Sequence, residues 1–166
     1  MARWRPAAAD ERDAAVTRIG GQPSWTRTPR WPVGGDLLPF WGQFRHDDLL
    51  ILVFVSPDDV LWWRAEEGGN AAIVEPVGEY PHWVRPRALH AGPQVLPSDV
   101  LVPVDPLTTG EPHWIQHDDT PPSAPEFVAE VRAEWDLRAW PPADDLGYMY
   151  LFVSADRRRA RVLFQS

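Results

Sequence analysis

Cysteine is absent from the 166 residues, and so is lysine. The first absence excludes a disulfide framework, thiolate nucleophiles and thiolate metal sites, and it suits a reducing compartment. The second makes all sixteen basic side chains arginine, which a GC-rich coding sequence explains more simply than selection for guanidinium forks does. No long apolar run is present either. The longest, Leu49 to Val55, falls far short of the roughly twenty residues a membrane helix needs. The opening Met1-Ala2-Arg3-Trp4-Arg5-Pro6 runs into Asp10, Glu11 and Asp13 without an apolar core, so no signal peptide is expected. There is no Gly-x-Ser-x-Gly elbow, glycine-rich phosphate loop or dinucleotide fingerprint. The expectation is a soluble, cytoplasmic chain with no membrane contact, no cofactor and no assignable catalytic residue.

Tryptophan and proline are abundant: ten and nineteen residues respectively. Proline is kept out of helix interiors and central strands, so the chain is punctuated into many short elements. The formal charge is −8. A surface of that sign repels phosphate backbones and favours a basic protein or peptide, so no nucleic-acid binding is expected. Arg157-Arg158-Arg159-Ala160-Arg161 is the one basic run. Between two apolar segments it reads as a solvated hairpin tip.

Two words recur in order. Gly21-Gln22-Pro23-Ser24-Trp25 returns as Gly110-Glu111-Pro112-His113-Trp114, and Phe54-Val55-Ser56-Pro57-Asp58 as Phe152-Val153-Ser154-Ala155-Asp156. This self-similarity predicts an internal duplication within one domain: repeat one over about 18–75, a connection over 76–107, repeat two over about 108–166. Leu49 to Val55 reads as a buried strand, with Val60 to Arg64 as the second arm of a hairpin spanning 49–64. Tyr148 to Ser154 and Arg161 to Phe164 read as the corresponding hairpin, 148–164. Shorter strands are expected at 40–44, 71–74, 100–104 and 114–117. Two helices are predicted. One covers 7–18, alanine-rich and ended by Gly20-Gly21. The other covers 124–138, opened by a Ser123-Ala124-Pro125-Glu126 capping box and carrying Phe127, Val131 and Trp135 at i, i+4 and i+8. The fold class is therefore mostly β (α+β): duplicated antiparallel hairpin units sharing one core with approximate two-fold symmetry, plus two helices.

Ile19-Gly20-Gly21-Gln22-Pro23-Ser24-Trp25, Leu38-Pro39-Phe40-Trp41-Gly42-Gln43-Phe44, His113-Trp114-Ile115-Gln116 and Asp145-Leu146-Gly147-Tyr148-Met149-Tyr150-Leu151-Phe152 resemble the bacterial YwqG-like family of unknown function. More distantly, they resemble the eukaryotic programmed cell death protein 2 family. The resemblance implies a β-rich, internally duplicated fold without established catalysis, and by analogy with the eukaryotic proteins a chaperone-like binding role. Many relatives carry a Cys-x-x-Cys pair where this chain reads Val33-Gly34-Gly35-Asp36-Leu37, so the zinc site that pair would form is not expected here.

His113 and His117 would share a helix face as metal ligands. Their proline-rich flanks indicate a strand instead, where i and i+4 lie about 13 Å apart, too far to ligate one ion. The Asp pairs at 47–48, 58–59, 118–119 and 144–145 sit beside turn residues and read as turn formers. What remains is tryptophan. Trp62 and Trp63 are adjacent on a predicted strand and point to opposite faces, which leaves one of them for a partner. The expected binding residues are Trp25, Trp41, Trp62, Trp63, Trp114, Asp144 and Asp145, with no catalytic or metal residues. The expected function is a non-catalytic protein- or peptide-binding module, chaperone-like or immunity-like. The alternative is a small hydrolase or carbohydrate-binding enzyme using Asp and His from the turns of both repeats.

Overall fold

The computed structural model describes residues 3–34, 36–57, 64–77, 92–93, 100–107, 110–132 and 147–165. Among them, eleven strands follow one another: β1 (Trp4–Pro6), β2 (Arg18–Ile19), β3 (Val33–Gly34), β4 (Asp36–Leu37), β5 (Phe40–His46), β6 (Leu49–Val55), β7 (Asn70–Pro76), β8 (Leu101–Pro103), β9 (Glu126–Arg132), β10 (Tyr148–Val153) and β11 (Ala160–Gln165). Six form an antiparallel sheet in the order β1-β8-β2-β5-β6-β7. A second antiparallel sheet has the order β11-β10-β9, and β3 pairs with β4 as a short ribbon. The chain is mostly β.

The apolar run of β6 is continuous because both of its faces are buried. Leu49, Ile51, Val53 and Val55 face the second sheet and share a core with Met149, Leu151 and Val153 of β10 and with Val128 and Val131 of β9. Leu50, Leu52 and Phe54 point the other way, under Trp25, Leu38 and Phe40. On β10, the outward Tyr150 and Phe152 lie under Trp114, Ala124 and Phe127. Each sheet thus spends one face on the shared core and covers the other with its own Trp word.

Neither helix forms among the described residues. Residues 9–17 are turns and bends, because carbonyls among them are claimed from outside. The Gln43 amide donates to Ala14 and Val16 carbonyls, both at 2.9 Å, and the Ser24 hydroxyl donates to Asp13 and Ala14 carbonyls. Residues 126–132, expected to be helical, are β9, and 133–138 lie outside the described residues. Steps of four are also even steps, so Phe127 and Val131 share a strand face as well as they share a helix face. Of the expected 49–64 hairpin, residues 58–63 lie outside the described residues; β6 itself pairs with β5 before it and β7 after it, and Arg64 is outside any strand. Residues 114–117 form no strand.

With β9 restored, the duplication covers a three-stranded meander. Phe40-Trp41-Gly42-Gln43-Phe44-Arg45 corresponds to Phe127-Val128-Ala129-Glu130-Val131-Arg132. Both first strands carry a register shift at the same place, between Phe40 and Gly42 opposite Phe54 and Val53, and between Phe127 and Ala129 opposite Phe152 and Leu151. A bulge repeated at one position is a feature of the fold, not a defect of pairing.

Candidate functional site

The repeated words are held the same way in both halves. Trp25 stacks on Phe54 with ring centroids 5.8 Å apart, and Trp114 on Phe152 at 5.8 Å. The N–H preceding each tryptophan donates to a polar side chain on the first meander strand: Ser24 N to Gln43 Oε1 at 3.0 Å, His113 N to Glu130 Oε2 at 2.8 Å. A polar side chain on the third strand takes the residues that follow. Glu75 accepts from the Thr26 hydroxyl and Arg27 Nε, and Gln165 Oε1 accepts from the Ile115 and Gln116 N–H groups. Ser56 N donates to the Gly69 carbonyl at 2.7 Å, and Ser154 N to the Arg159 carbonyl at 2.8 Å. The buried polar residues Gln43, Glu75 and Gln165 are therefore accounted for as anchors of the words.

Arg18 belongs to repeat one alone. Its fully buried guanidinium donates to the Gly20 carbonyl at 2.6 Å, to the Gln22 carbonyl and to Ser24 Oγ. Burial pushes its pKa down to about 10, which leaves it charged at neutral pH. The chain turns around it through Gly20 and Gly21, with φ of 82° and 71°.

The expected binding residues are scattered. Trp41 is the bulge residue of β5 and is 1% exposed in the shared core; Trp25 is 6% exposed beneath the outer layer. Neither ring is available to a partner. Trp114 is half-buried against Tyr150 and Phe152. Trp62, Trp63, Asp144 and Asp145 lie outside the described residues. His113 and His117 take separate partners, Glu130 at 3.3 Å and Asp119 at 2.9 Å. Among the described residues, no three His, Asp or Glu side chains gather as metal ligands would.

A cleft does form, where no tryptophan was expected to make one. It lies beside the edge strands β7 and β11, which pack against each other, and has a volume of about 530 Å³. Five arginines line it: Arg27 and Arg30 from the loop after the first Trp word, and Arg158, Arg159 and Arg161 from the β10–β11 turn and β11. The one carboxylate in the wall among the described residues, Glu75, is held by Thr26 and by Arg27 at 3.3 Å. Arg30, Arg158, Arg159 and Arg161 are exposed and form no ion pair among the described residues. The basic run 157–161 was legible as a hairpin tip; what places Arg27 and Arg30 opposite it is the pairing of Thr26 and Arg27 with Glu75, 48 and more residues away.

A smaller cleft of about 300 Å³ lies at the turn between β5 and β6, lined in part by Thr17, His46, Asp47, Asp105 and Val128. Here the two sheets are tied by polar contacts. His46 Nε2 lies 2.8 Å from Glu126 Oε1, and Arg157 Nη2 lies 3.0 Å from Asp48 Oδ1 and 3.3 Å from Asp47 Oδ2. The Thr17 hydroxyl is occupied in accepting from Arg45 N.

No family model matches the chain, and neither a curated protein nor a solved structure matches it. No helix among the described residues is long and apolar enough to cross a membrane.

Proposed function

We propose that this chain is a non-catalytic module that binds a protein or peptide, in a chaperone-like or immunity-like role, and that it is akin to the YwqG-like proteins. One observation carries the reading: a cleft of about 530 Å³ beside two sheet edges, lined by four arginines that form no salt bridge among the described residues. Sheet edges offer unpaired backbone groups to extended chains. Free guanidinium forks add directed donors at the same place. The absence of cysteine supports a cytoplasmic setting.

The enzyme reading has the His46–Glu126 pair on its side. That pair ties two sheets together, and among the described residues no hydroxyl is hydrogen-bonded to the His46 ring as a nucleophile would be. The test is selection of a random peptide library on the immobilised protein, repeated with the Arg158→Glu/Arg161→Glu variant. Peptides enriched on the native cleft and lost on the variant support binding there. A selection that enriches nothing removes the proposal.

A further inference from the structure

The charge of the whole chain and the charge of the cleft point in opposite directions. A net −8 favours a basic partner over the surface at large. Among the described residues, the cleft presents five arginines against one carboxylate, and that carboxylate is already paired. A bound segment meets the cleft, not the average.

The backbone at the cleft is also specific. Arg27 Nη2 donates to the Val74 carbonyl at 3.4 Å, so that carbonyl points away from β6. Backbone direction along an antiparallel strand alternates with a period of two, so the N–H and C=O of Ala72 face the same open side. The hydrogen bond from Ser154 N to the Arg159 carbonyl aims Arg159 at β10 and leaves the backbone of Ala160 facing outward by the same alternation. Ala72 and Ala160 both line the cleft. Each is a small residue at a point where the edge is turned outward, so little side chain covers the backbone there. Arg27, seated on Val74 and Glu75, closes the edge beyond that point.

We propose that the cleft binds an acidic, extended peptide segment, which pairs through its backbone with the edge of β7 at Ala72, unpaired among the described residues, while its carboxylates meet Arg30, Arg158 and Arg161. This rests on the binding reading above and names its ligand class. Successive side chains of an added strand alternate in direction, so carboxylates two residues apart fall on the arginine side. A nucleic-acid strand fits less well. It has no amide ladder to offer, and it runs beyond a short basic cleft onto a surface of net negative charge.

Fluorescence anisotropy with the full chain tests this, using labelled peptides of about eight residues that alternate threonine with glutamate, glutamine or lysine, and a thymidine oligonucleotide of equal length. The glutamate peptide is expected to bind about ten-fold tighter than the glutamine peptide. Raised salt, N-methylation of its central amides and Arg158→Glu/Arg161→Glu should each weaken it, the variant melting at the native temperature. Two results overturn the inference: equal or tighter binding of the glutamine peptide, the lysine peptide or the oligonucleotide, and indifference of the glutamate peptide to the variant. If library peptides compete for the cleft but carry no acidic bias, the binding reading stands and the acidic assignment falls. If neither the library nor the labelled peptides bind, both fall.

Discussion

The hydroxyl of Ser154 shows how much one recurring residue does. It donates to Asp156 Oδ1 at 2.5 Å and accepts from Arg159 N at 3.0 Å, while Asp156 also accepts from Arg158 N at 3.2 Å. The Ser154 hydrogen bond, then the Arg158 N–H and the neighbouring arginine charges, hold the Asp156 carboxyl below the usual aspartate range. A carboxylate whose folded pKa lies below its unfolded one stabilises the fold above the unfolded value, about 3.9, and loses that contribution as pH falls through the lowered folded value. The Tm advantage of the native chain over Asp156→Asn should therefore be full near neutrality, narrow below about pH 3.9 and vanish in stronger acid. A difference that stays flat across that range would remove the linkage. The serine was visible in the repeated word; the three bonds that give it a purpose require the turn to be closed.

Among the elements, β9 is the instructive case. Its apolar spacing and a capping-box sequence pointed to a helix, while the neighbouring strand β10 decided otherwise by offering a partner ladder and a half-built core. Local propensity is a weak prior against that offer. Comparing β5 with β9 then separates what the meander needs from what repeat one adds. A Cβ on Gly42 would meet the Arg18 carbonyl oxygen at 2.9 Å and Ile19 Cα at 3.2 Å, both backbone atoms of β2. Repeat two has Ala129 in that place, and there the only counterpart of the β2 pairing among the described residues is Glu130 N donating to the Leu107 carbonyl at 3.4 Å. Gly42→Ala should cost about 1–3 kcal/mol in urea denaturation, because β2 cannot keep its distance. An unchanged midpoint would show that β2 moves aside freely.

At the scale of the molecule, the two sheets share one buried core and neither owns its inner face. Leu151 is fully buried among residues from both. Leu151→Ala should cost about 2–5 kcal/mol, and amide exchange should accelerate by the same factor in β6 and β10. Faster exchange in the second sheet alone would mean the halves open independently. The contacts of Arg157 with Asp47 and Asp48 add little to this, since these carboxylates are more than 70% exposed. The cleft likewise exists only at this scale, since its arginines come from segments more than a hundred residues apart in the chain.

What the amino-acid sequence determined by itself was the β-rich class, the buried strand at 49–55 and the duplication, because two repeated words and an unbroken apolar run are local patterns. The later hairpin, 148–164, was legible for the same reason. Which way each tryptophan faced was decided only by packing: Trp41 points into the shared core because a bulge rotates it there, and Trp25 is covered because Phe54 offers a ring to stack on. The arginine cleft was decided later still. Its charge was countable residue by residue, but charges act through distance in space, and the distance between Arg30 and Arg158 is set by how β7 and β11 come together.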